Sequence, residues 1–372
     1  MMKIALVLSG GIALGAYQAG AYAALHRRGD LLPQHVAGAS IGAINAALIV
    51  GGPPEQRIER LQRFWLRVAV EDNPFVSPWV APLFDTSWRH ASSWMSALQT
   101  RLFGRSGLFR PRLPDLLWHN QPSLYDLAPL RATFDEFVDF DRLNSGEVRV
   151  SIATTDAVTG ELVMFDTARG DRIGPDHLLA SCSFFPDFAP TMVEGRALGD
   201  GGFSANAPMD AVLGEDETGD LVCFIVDLFS PRGVRPRTLE QASSRQWELL
   251  FGNQSRQTLK RMQREHHLRM GLHRLAAKLG PDASKDTQLA PFLTTAAPRS
   301  VNVLHLAYCP REYDAGPEKA YDFSQSTLGD RWKAGARDME EAMDLAADGI
   351  ASQPGFYIHR IEAADPPPAK TR

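Results

Sequence analysis

The sequence predicts an α/β fold, a three-layer α/β/α sandwich around a mostly parallel sheet. Two observations carry that expectation. Ile4 to Leu8 is an unbroken apolar run, as a central strand covered on both faces requires. A glycine-rich turn follows, then a helical run from Ala16 to Arg28 that ends at Gly29, then a second short run, His35 to Ala39. Strand, helix and strand in that order form a βαβ unit, and such units build parallel sheets.

Further strands are expected over Val148 to Thr154, Leu162 to Phe165, Leu221 to Leu228 and Val301 to Ala307, with a β-ribbon from Met192 to Leu198. Residues 55–135 break the alternation and hold five of the seven tryptophans: Trp65, Trp79, Trp88, Trp94 and Trp118. They are read as a helical insertion, ordinary packing first and a lid or acyl-chain pocket second. Residues 238–279 are helix-rich. There Arg256, Lys260, Arg261, Arg264, Arg269, Arg274 and Lys278 face a single acid, Glu265, while Leu259, Met262, Met270, Leu275 and Leu279 recur at roughly helical spacing. Such a helix is first a solvated face over a packed one. An anionic membrane surface is the second reading. Ser284 to Ser300 reads as a loop, and Ser326 to Ala347 as a final helix with Ser or Thr available to cap it. The expected organisation is a catalytic core over 1–230 carrying the insertion, a helical extension over 231–363 packed on that core, and a disordered Pro-rich tail over 364–372.

Composition removes several function classes. With 372 residues and 44% hydrophobic content the chain can bury a large core. A net charge of −5 argues against a dedicated nucleic-acid binder. Cys182, Cys223 and Cys309 are widely spaced, so buried free thiols are expected rather than a disulfide framework. No metal-ligand spacing occurs, and neither metal nor cofactor is expected. The N-terminal apolar run is too short for a signal peptide, and no stretch approaches the ~18 apolar residues of a membrane span. These features predict a soluble cytoplasmic protein, with peripheral membrane contact as the second setting.

The chemistry centres on Ser40, in Gly38-Ala39-Ser40-Ile41-Gly42. The pentapeptide sits between a strand-like run and an apolar helix-like run. A serine at such a turn holds its hydroxyl exposed, and the flanking glycines permit the tight backbone. The following helix points unpaired N–H groups at whatever reacts there. Directly after the first strand, Ser9-Gly10-Gly11-Ile12-Ala13-Leu14-Gly15 offers further amides to an oxyanion. Asp200, in Gly199-Asp200-Gly201-Gly202 after the ribbon, could take the serine's proton directly.

With these motifs in view the chain resembles the patatin-like phospholipase family. The likeness rests on Gly10 to Gly15, Gly38 to Gly42 and Asp200-Gly201-Gly202, in the family's order. Ser181 to Pro190 and Asn206-Ala207-Pro208 add to it, so that it spans roughly residues 3–228. Asp322-Phe323-Ser324 through Arg331-Trp332 looks like an extension found in a subset of bacterial members. The resemblance implies a patatin-like fold and a Ser–Asp dyad, Ser40 as nucleophile and Asp200 as base, with no histidine required. Gly10, Gly11 and Ile12 would form the oxyanion hole, and the N–H of Ile41 would contribute. Gly15, Gly38, Gly42, Gly201, Gly202 and Asn206 would support the motifs. The implied activity is acyl-ester hydrolysis on a lipid, of phospholipase A or lysophospholipase type, through an acyl-enzyme. One departure stands out. The family turn usually has glycine where this chain has Ile12 and a basic residue where it has Leu14. Isoleucine restricts φ and adds bulk there.

A dinucleotide turn needs glycine at position 12 and an acid near position 35, and has neither. A Ser–acid–His triad fits chain order, because His266, His267, His273, His305 and His359 follow Asp200. No His-Gly-Gly loop precedes Ser40, and those histidines read as packing or surface residues. A lipid acyltransferase using the same dyad is one alternative. A catalytically weakened lipid- or partner-binding relative is another. Asp156 reads as a turn former, Asp187 and Asn206 as braces near Asp200, and Asp227, which ends a strand, as structural first and within reach of the site second.

Overall fold

A computed structural model of the protein describes residues 2–71, 86–112, 123–214, 219–233, 235–280, 286, 299–309 and 317–361. The expected tail over 364–372, most of the expected loop over 284–300, Trp79, Trp118 and the side chain of Trp88 lie outside the described residues.

β1 (Lys3–Leu8) runs into the glycine-rich turn, and a single 3-10 turn over Ile12–Leu14 feeds α1 (Gly15–Arg28). Gly29 closes α1 at φ 78°, left-handed backbone that a side chain would strain. β2 (His35–Ala39) turns at Ser40 into α2 (Ile41–Val50). Every residue of α2 is buried, as suits a helix that is apolar all round. The insertion holds α3 (Arg57–Val68), α4 (Thr86–Phe103), the short strands β3 (Arg110–Pro111) and β4 (Tyr125–Asp126), α5 (Ala128–Phe137) and α6 (Phe140–Leu143). β5 (Arg149–Asp156), β6 (Leu162–Asp166), α7 (Pro175–Ser181), β7 (Thr191–Val193), β8 (Arg196–Asp200), α8 (Gly202–Ala205), α9 (Asp210–Leu213) and β9 (Leu221–Asp227) follow. The chain continues through α10 (Leu239–Leu279), β10 (Ser300–Ala307), a 3-10 turn over Pro317–Tyr321, α11 (Gln325–Gly349) and β11 (Gly355–Ile361).

Among the described residues nine strands share one sheet in the order β11-β10-β9-β1-β2-β5-β8-β7, with β6 also paired to β5. From β11 to β5 every pairing is parallel. The ribbon of β7 and β8 joins antiparallel through the last residues of β5. Side-chain alternation separates two cores. Ile4, Leu6 and Leu8 of β1 join Val222, Phe224 and Val226 of β9 on the face covered by α1, α2 and α11. Ala5 and Val7 join Cys223 and Ile225 on the other face, under Met209, Leu259 and Met262. Three layers result.

The sheet does not stop near residue 230. β10, expected as a strand over Val301 to Ala307, and β11 both fall in the segment read as a helical extension, and both continue the core sheet in parallel register. β11 has no counterpart in the sequence reading. It is an edge strand with only Phe356 and Ile361 buried, so its apolar signal is thin. α10 also departs from its expected apolar face. Leu259 and Met262 are buried, whereas Leu275 and Leu279 stand 52% and 54% exposed. At 1.5 Å per residue its 41 residues run about 60 Å, more than twice the length of an eight-residue strand, so its last turns outreach the sheet. No helix among the described residues is long and apolar enough to cross a membrane.

α1 and α11 meet backbone to backbone. A Cβ on Gly20 would lie 2.0 Å from the Trp332 carbonyl oxygen, and one on Gly335 would lie 1.9 Å from that of Tyr17. The Tyr17 hydroxyl, buried here, donates to Asp338 Oδ2 at 2.8 Å across the same contact. Gly335→Ala is therefore expected to destabilise the protein by about 1–3 kcal/mol net, because overpacking against a carbonyl outweighs the ~1 kcal/mol that alanine gains within a helix. The midpoint of urea unfolding measures this. An unchanged or raised midpoint would mean that the helices have room to spare.

Candidate active site

Ser40 occupies a conformation that few non-glycine residues adopt, φ 54° and ψ −126°. Such backbone costs on the order of 1–3 kcal/mol and persists only when the surroundings enforce it. Here they do. A Cβ on Gly38 would lie 2.4 Å from the Gly42 carbonyl oxygen, and one on Gly42 would lie 2.2 Å from that of Leu8. The elbow is thus wedged between the ends of β1 and β2 with no space for side chains at either glycine. The Ser40 N–H donates to Ser181 Oγ at 2.9 Å, and that hydroxyl donates to the Ala153 carbonyl at 2.7 Å. The C-terminus of α7 therefore ties the elbow to β5.

Asp200 ends β8, opposite Thr154 of β5. It is 2% exposed. Its carboxylate hydrogen-bonds the Ser40 side chain and accepts the Gly202 N–H at 2.7 Å. Among the described residues no cation pairs with it. Burial therefore dominates and pushes its pKa up to about 7, and the bonds from Ser40 and Gly202 offset only part of that. Cys182 lies in the same pocket, and burial and then the Asp200 charge push its thiol well up.

The glycine-rich turn faces Ser40. The amide expected from Gly10 is committed elsewhere: it donates to the Asn206 carbonyl at 3.0 Å, and Asn206 Nδ2 returns a bond to the Gly10 carbonyl at 3.3 Å. Gly10 is therefore a clamp and not an open donor. The amides of Gly11, Ile12 and Ile41 take no hydrogen bond among the described residues. Ile12 sits at φ 52°, left-handed backbone that opposes a β-branched side chain. Its side chain packs against the core and the cleft remains open past it. Gly15 and Gly201 allow close approach behind the site, to Ile41 and to the Ala153 carbonyl. Gly202 is close to both Asp200 and Asn206.

The cleft over Ser40 spans about 740 Å³, part of it open to solvent. One wall is aromatic, with Phe184, Phe188, Phe229, Trp247 and Phe251. The other carries Arg101, Asp187, Lys319 and Tyr321. The Arg101 guanidinium stands 4.4 Å from the Tyr321 ring centre, the Tyr321 hydroxyl donates to Asp187, and Lys319 Nζ donates to Glu248 at 2.8 Å. Asp187 accepts the Tyr321 hydroxyl, and Asn206 is bonded to Gly10 on the facing turn.

Several of these residues escaped the sequence reading. Trp247, Phe251, Gln254, Lys319 and Tyr321 come from the segment after residue 230. Gln254 accepts the Asn206 N–H at 3.1 Å and donates to the Gly202 carbonyl at 3.2 Å, bracing both sides of the Asp200 turn. The signal present was an aromatic pair four residues apart on a helix, Trp247 and Phe251. It reads equally as core.

The downstream histidines do not enter the cleft. His266 lies against Phe356 at 5.8 Å between ring centres, and His305 Nε2 lies 3.5 Å from Asp227 Oδ2. Asp156 accepts the N–H groups of Val158 and Thr159, which together with Arg196 hold its carboxyl down at about 2. Asp210 pairs with Arg261. The three cysteines are free thiols. No cluster of metal-ligating side chains occurs among the described residues.

Comparison with known proteins bears on this geometry. The model of the family described as patatin-like phospholipase matches residues 6–213, more than half of the chain. A second, described as patatin phospholipase, matches residues 249–348. The chain belongs to the patatin-like phospholipase family. Lipid hydrolysis is thus the class of activity to which it belongs. No curated protein matches the sequence. Among solved structures, VipD from Legionella pneumophila is similar at 13% identity and a TM-score of 0.40, covering 92% of this chain and 67% of that one. A chain of the heterodimeric ExoU–SpcU complex from the type III secretion system of Pseudomonas aeruginosa is 18% identical with a TM-score of 0.26. That match covers 70% of this chain, and only 52% of the other.

The raised pKa of Asp200 has a consequence for stability. A carboxyl whose folded pKa lies above its unfolded value, 3.8, binds its proton more tightly in the folded state. Folding is favoured below 3.8, loses that support as pH rises toward about 7, and carries the full penalty above it. Asp200→Asn removes the charge and keeps an acceptor for the Gly202 N–H. Relative to the parent, this variant is expected to gain stability between pH 5 and pH 8, by a few kcal/mol at most. Thermal unfolding at both pH values measures it, and an equal offset at each would show that Asp200 ionises at an ordinary pKa.

Proposed function

We propose that this protein is a serine acyl-ester hydrolase of phospholipase A or lysophospholipase type, working through a Ser40–Asp200 dyad. One observation supports this above the others. A hydroxyl on a strained elbow hydrogen-bonds a buried carboxylate whose pKa sits near neutrality, where a general base works best.

Asp200 takes the proton as Ser40 Oγ attacks the ester carbonyl carbon. The negative charge that develops on the carbonyl oxygen faces the open amides of Gly11, Ile12 and Ile41. Collapse of the tetrahedral intermediate breaks the bond to the alcohol, which leaves with the proton from Asp200, and the acyl group remains on Ser40. Water then attacks the acyl-enzyme with Asp200 as base. The fatty acid departs and Ser40 regains its proton. The aromatic wall suits an acyl chain. Peripheral contact with a membrane fits Phe185, Phe203 and Trp247, which are 36%, 37% and 37% exposed beside the cleft.

Ser40→Ala and Asp200→Asn are each expected to lower turnover of a p-nitrophenyl acyl ester at least about a hundredfold with the fold intact by circular dichroism. Since the dyad needs Asp200 ionised, the parent's kcat/KM should rise with pH through about 7 and then level off. A fluorophosphonate probe should label the parent and not Ser40→Ala. Near-parental turnover in Asp200→Asn would sink the dyad and mean that another base operates.

A further inference from the structure

The C-terminal half of α10 presents an apolar stripe to solvent. Successive residues of a helix are about 100° apart, so Leu268, Leu272, Leu275 and Leu279 fall within about 60° of one another. They stand between 37% and 64% exposed. A single exposed leucine is ordinary and calls for no explanation. Four in one line, over about 17 Å of helix, leave a continuous apolar strip in water. Leu250, also more than half exposed, lies about five turns before Leu268 and points the same way.

A ridge of positive charge runs beside the stripe. By the same rotation Arg256, Lys260, Arg264, Arg274 and Lys278 fall within about 80° of one another, along one edge of the leucines. All five are exposed, and none pairs with a carboxylate among the described residues. Arg261 and Arg269 lie outside the ridge, and each has an acid, Asp210 and Glu265. Glu265 is the one acid between Leu249 and Gly280. A helix face built for water alone mixes both signs of charge and laces them into pairs one turn apart. Here the cations are of one sign, unpaired and segregated beside leucines.

That pattern fits a partner with an anionic skin over an apolar layer. The interface of a lipid bilayer has this build: leucines sink about 5–10 Å to the acyl boundary, and Lys and Arg stems reach the phosphates above. The same helix helps to wall the Ser40 cleft, through Trp247 and Phe251. Leu250 lies within one turn of both. A helix laid along a bilayer on this side therefore brings the cleft to the lipid at one end and is anchored at the other.

We propose that the C-terminal half of α10 anchors the protein on anionic phospholipid bilayers, with Leu268, Leu272, Leu275 and Leu279 inserted and the basic ridge on the headgroups. The contact goes beyond the Ser40–Asp200 chemistry and does not depend on it.

The test floats the full-length protein with vesicles of phosphatidylcholine alone, and of phosphatidylcholine mixed equally with phosphatidylglycerol. The protein should float with the mixed vesicles and stay behind with the neutral ones. Arg264→Gln combined with Arg274→Gln should lower partitioning about thirtyfold, from about 1 kcal/mol per cation. Leu268→Ala combined with Leu275→Ala should lower it at least about tenfold with the helix intact, because alanine keeps helix propensity. Both double variants should turn over a soluble p-nitrophenyl ester as the parent does, and Ser40→Ala should float like the parent. Flotation is readable even if the parent turns over no ester, so the two readings fail separately. Should a double variant lose its circular dichroism spectrum, Arg264→Gln or Leu275→Ala alone takes its place. Equal flotation with neutral vesicles, or parental flotation of either double variant, would refute the anchor. Absence of flotation refutes it too, and a dimer in sedimentation that the leucine variant dissolves would then make the stripe an interface between two copies of the chain.

Discussion

A carboxylate buried without a cation is the constraint around which this molecule is arranged. Left alone, such a group unfolds its surroundings or takes up a proton. Asp200 is kept in place by geometry that permits little else. β8 delivers it at a strand end, β5 pairs alongside, and the turn that follows returns the Gly202 N–H to it. Two neutral donors soften the cost of burial without cancelling it, and for that reason the group stays near neutrality where a salt bridge would have driven it low. Arg149 beside Asp166 shows the contrast within the same sheet. There the guanidinium and further donors hold the carboxyl below the usual range despite burial. One residue suits proton transfer and the other suits structure, and the difference lies in the partner supplied.

The segment after residue 230 is part of the site. Gln254 of α10 bonds both flanks of the Asp200 turn, and Trp247 and Phe251 complete the aromatic wall. The opposite wall comes from the 3-10 turn over Pro317–Tyr321, and that turn is set by a buried arginine. Arg331 is 1% exposed and donates to the carbonyls of Lys319 and Asp322 at 2.7 and 3.1 Å. Next to it the chain is stitched to the insertion. Val70 donates to the Phe323 carbonyl, Gln325 donates to that of Val70, and Ser93 Oγ donates to Asp322. The sequence run Asp322 to Trp332 therefore shapes the cleft while lying outside it.

What could be read from the sequence was what is local. The elbow around Ser40, the ribbon leading to Asp200 and each strand, turn and helix of the first βαβ unit are short local runs, and a turn, a cap or a period-two run needs only its neighbours. What could not be read depends on contacts between distant segments. Gly10 looked like an oxyanion donor, but Asn206, nearly two hundred positions on, takes its amide. Nothing in a glycine-rich run says which of its N–H groups will be used up. β11 was invisible because an edge strand buries little. The apolar positions of α10 split into buried and exposed sets because helix periodicity fixes a face and not how far the sheet beneath it extends.

Backbone strain gives an independent view of where function concentrates. Among the described residues three non-glycine residues have positive φ: Ile12, Ser40 and Glu194. Glu194 is accounted for locally. With Gly195, also at positive φ, it closes the two-residue hairpin between β7 and β8, a turn whose twist demands that conformation. Ile12 and Ser40 have no such local cause. They lie on opposite loops, after β1 and β2, and both line the same cleft. At Ile12 a glycine would relax the backbone, and the family's usual turn has one. This chain instead holds a β-branched residue in left-handed backbone by packing its side chain against the core. An unstrained residue could have been accommodated at either place if only folding were at stake. Strain that converges on one cavity, enforced from two separate loops, points to a requirement set by what happens in the cavity.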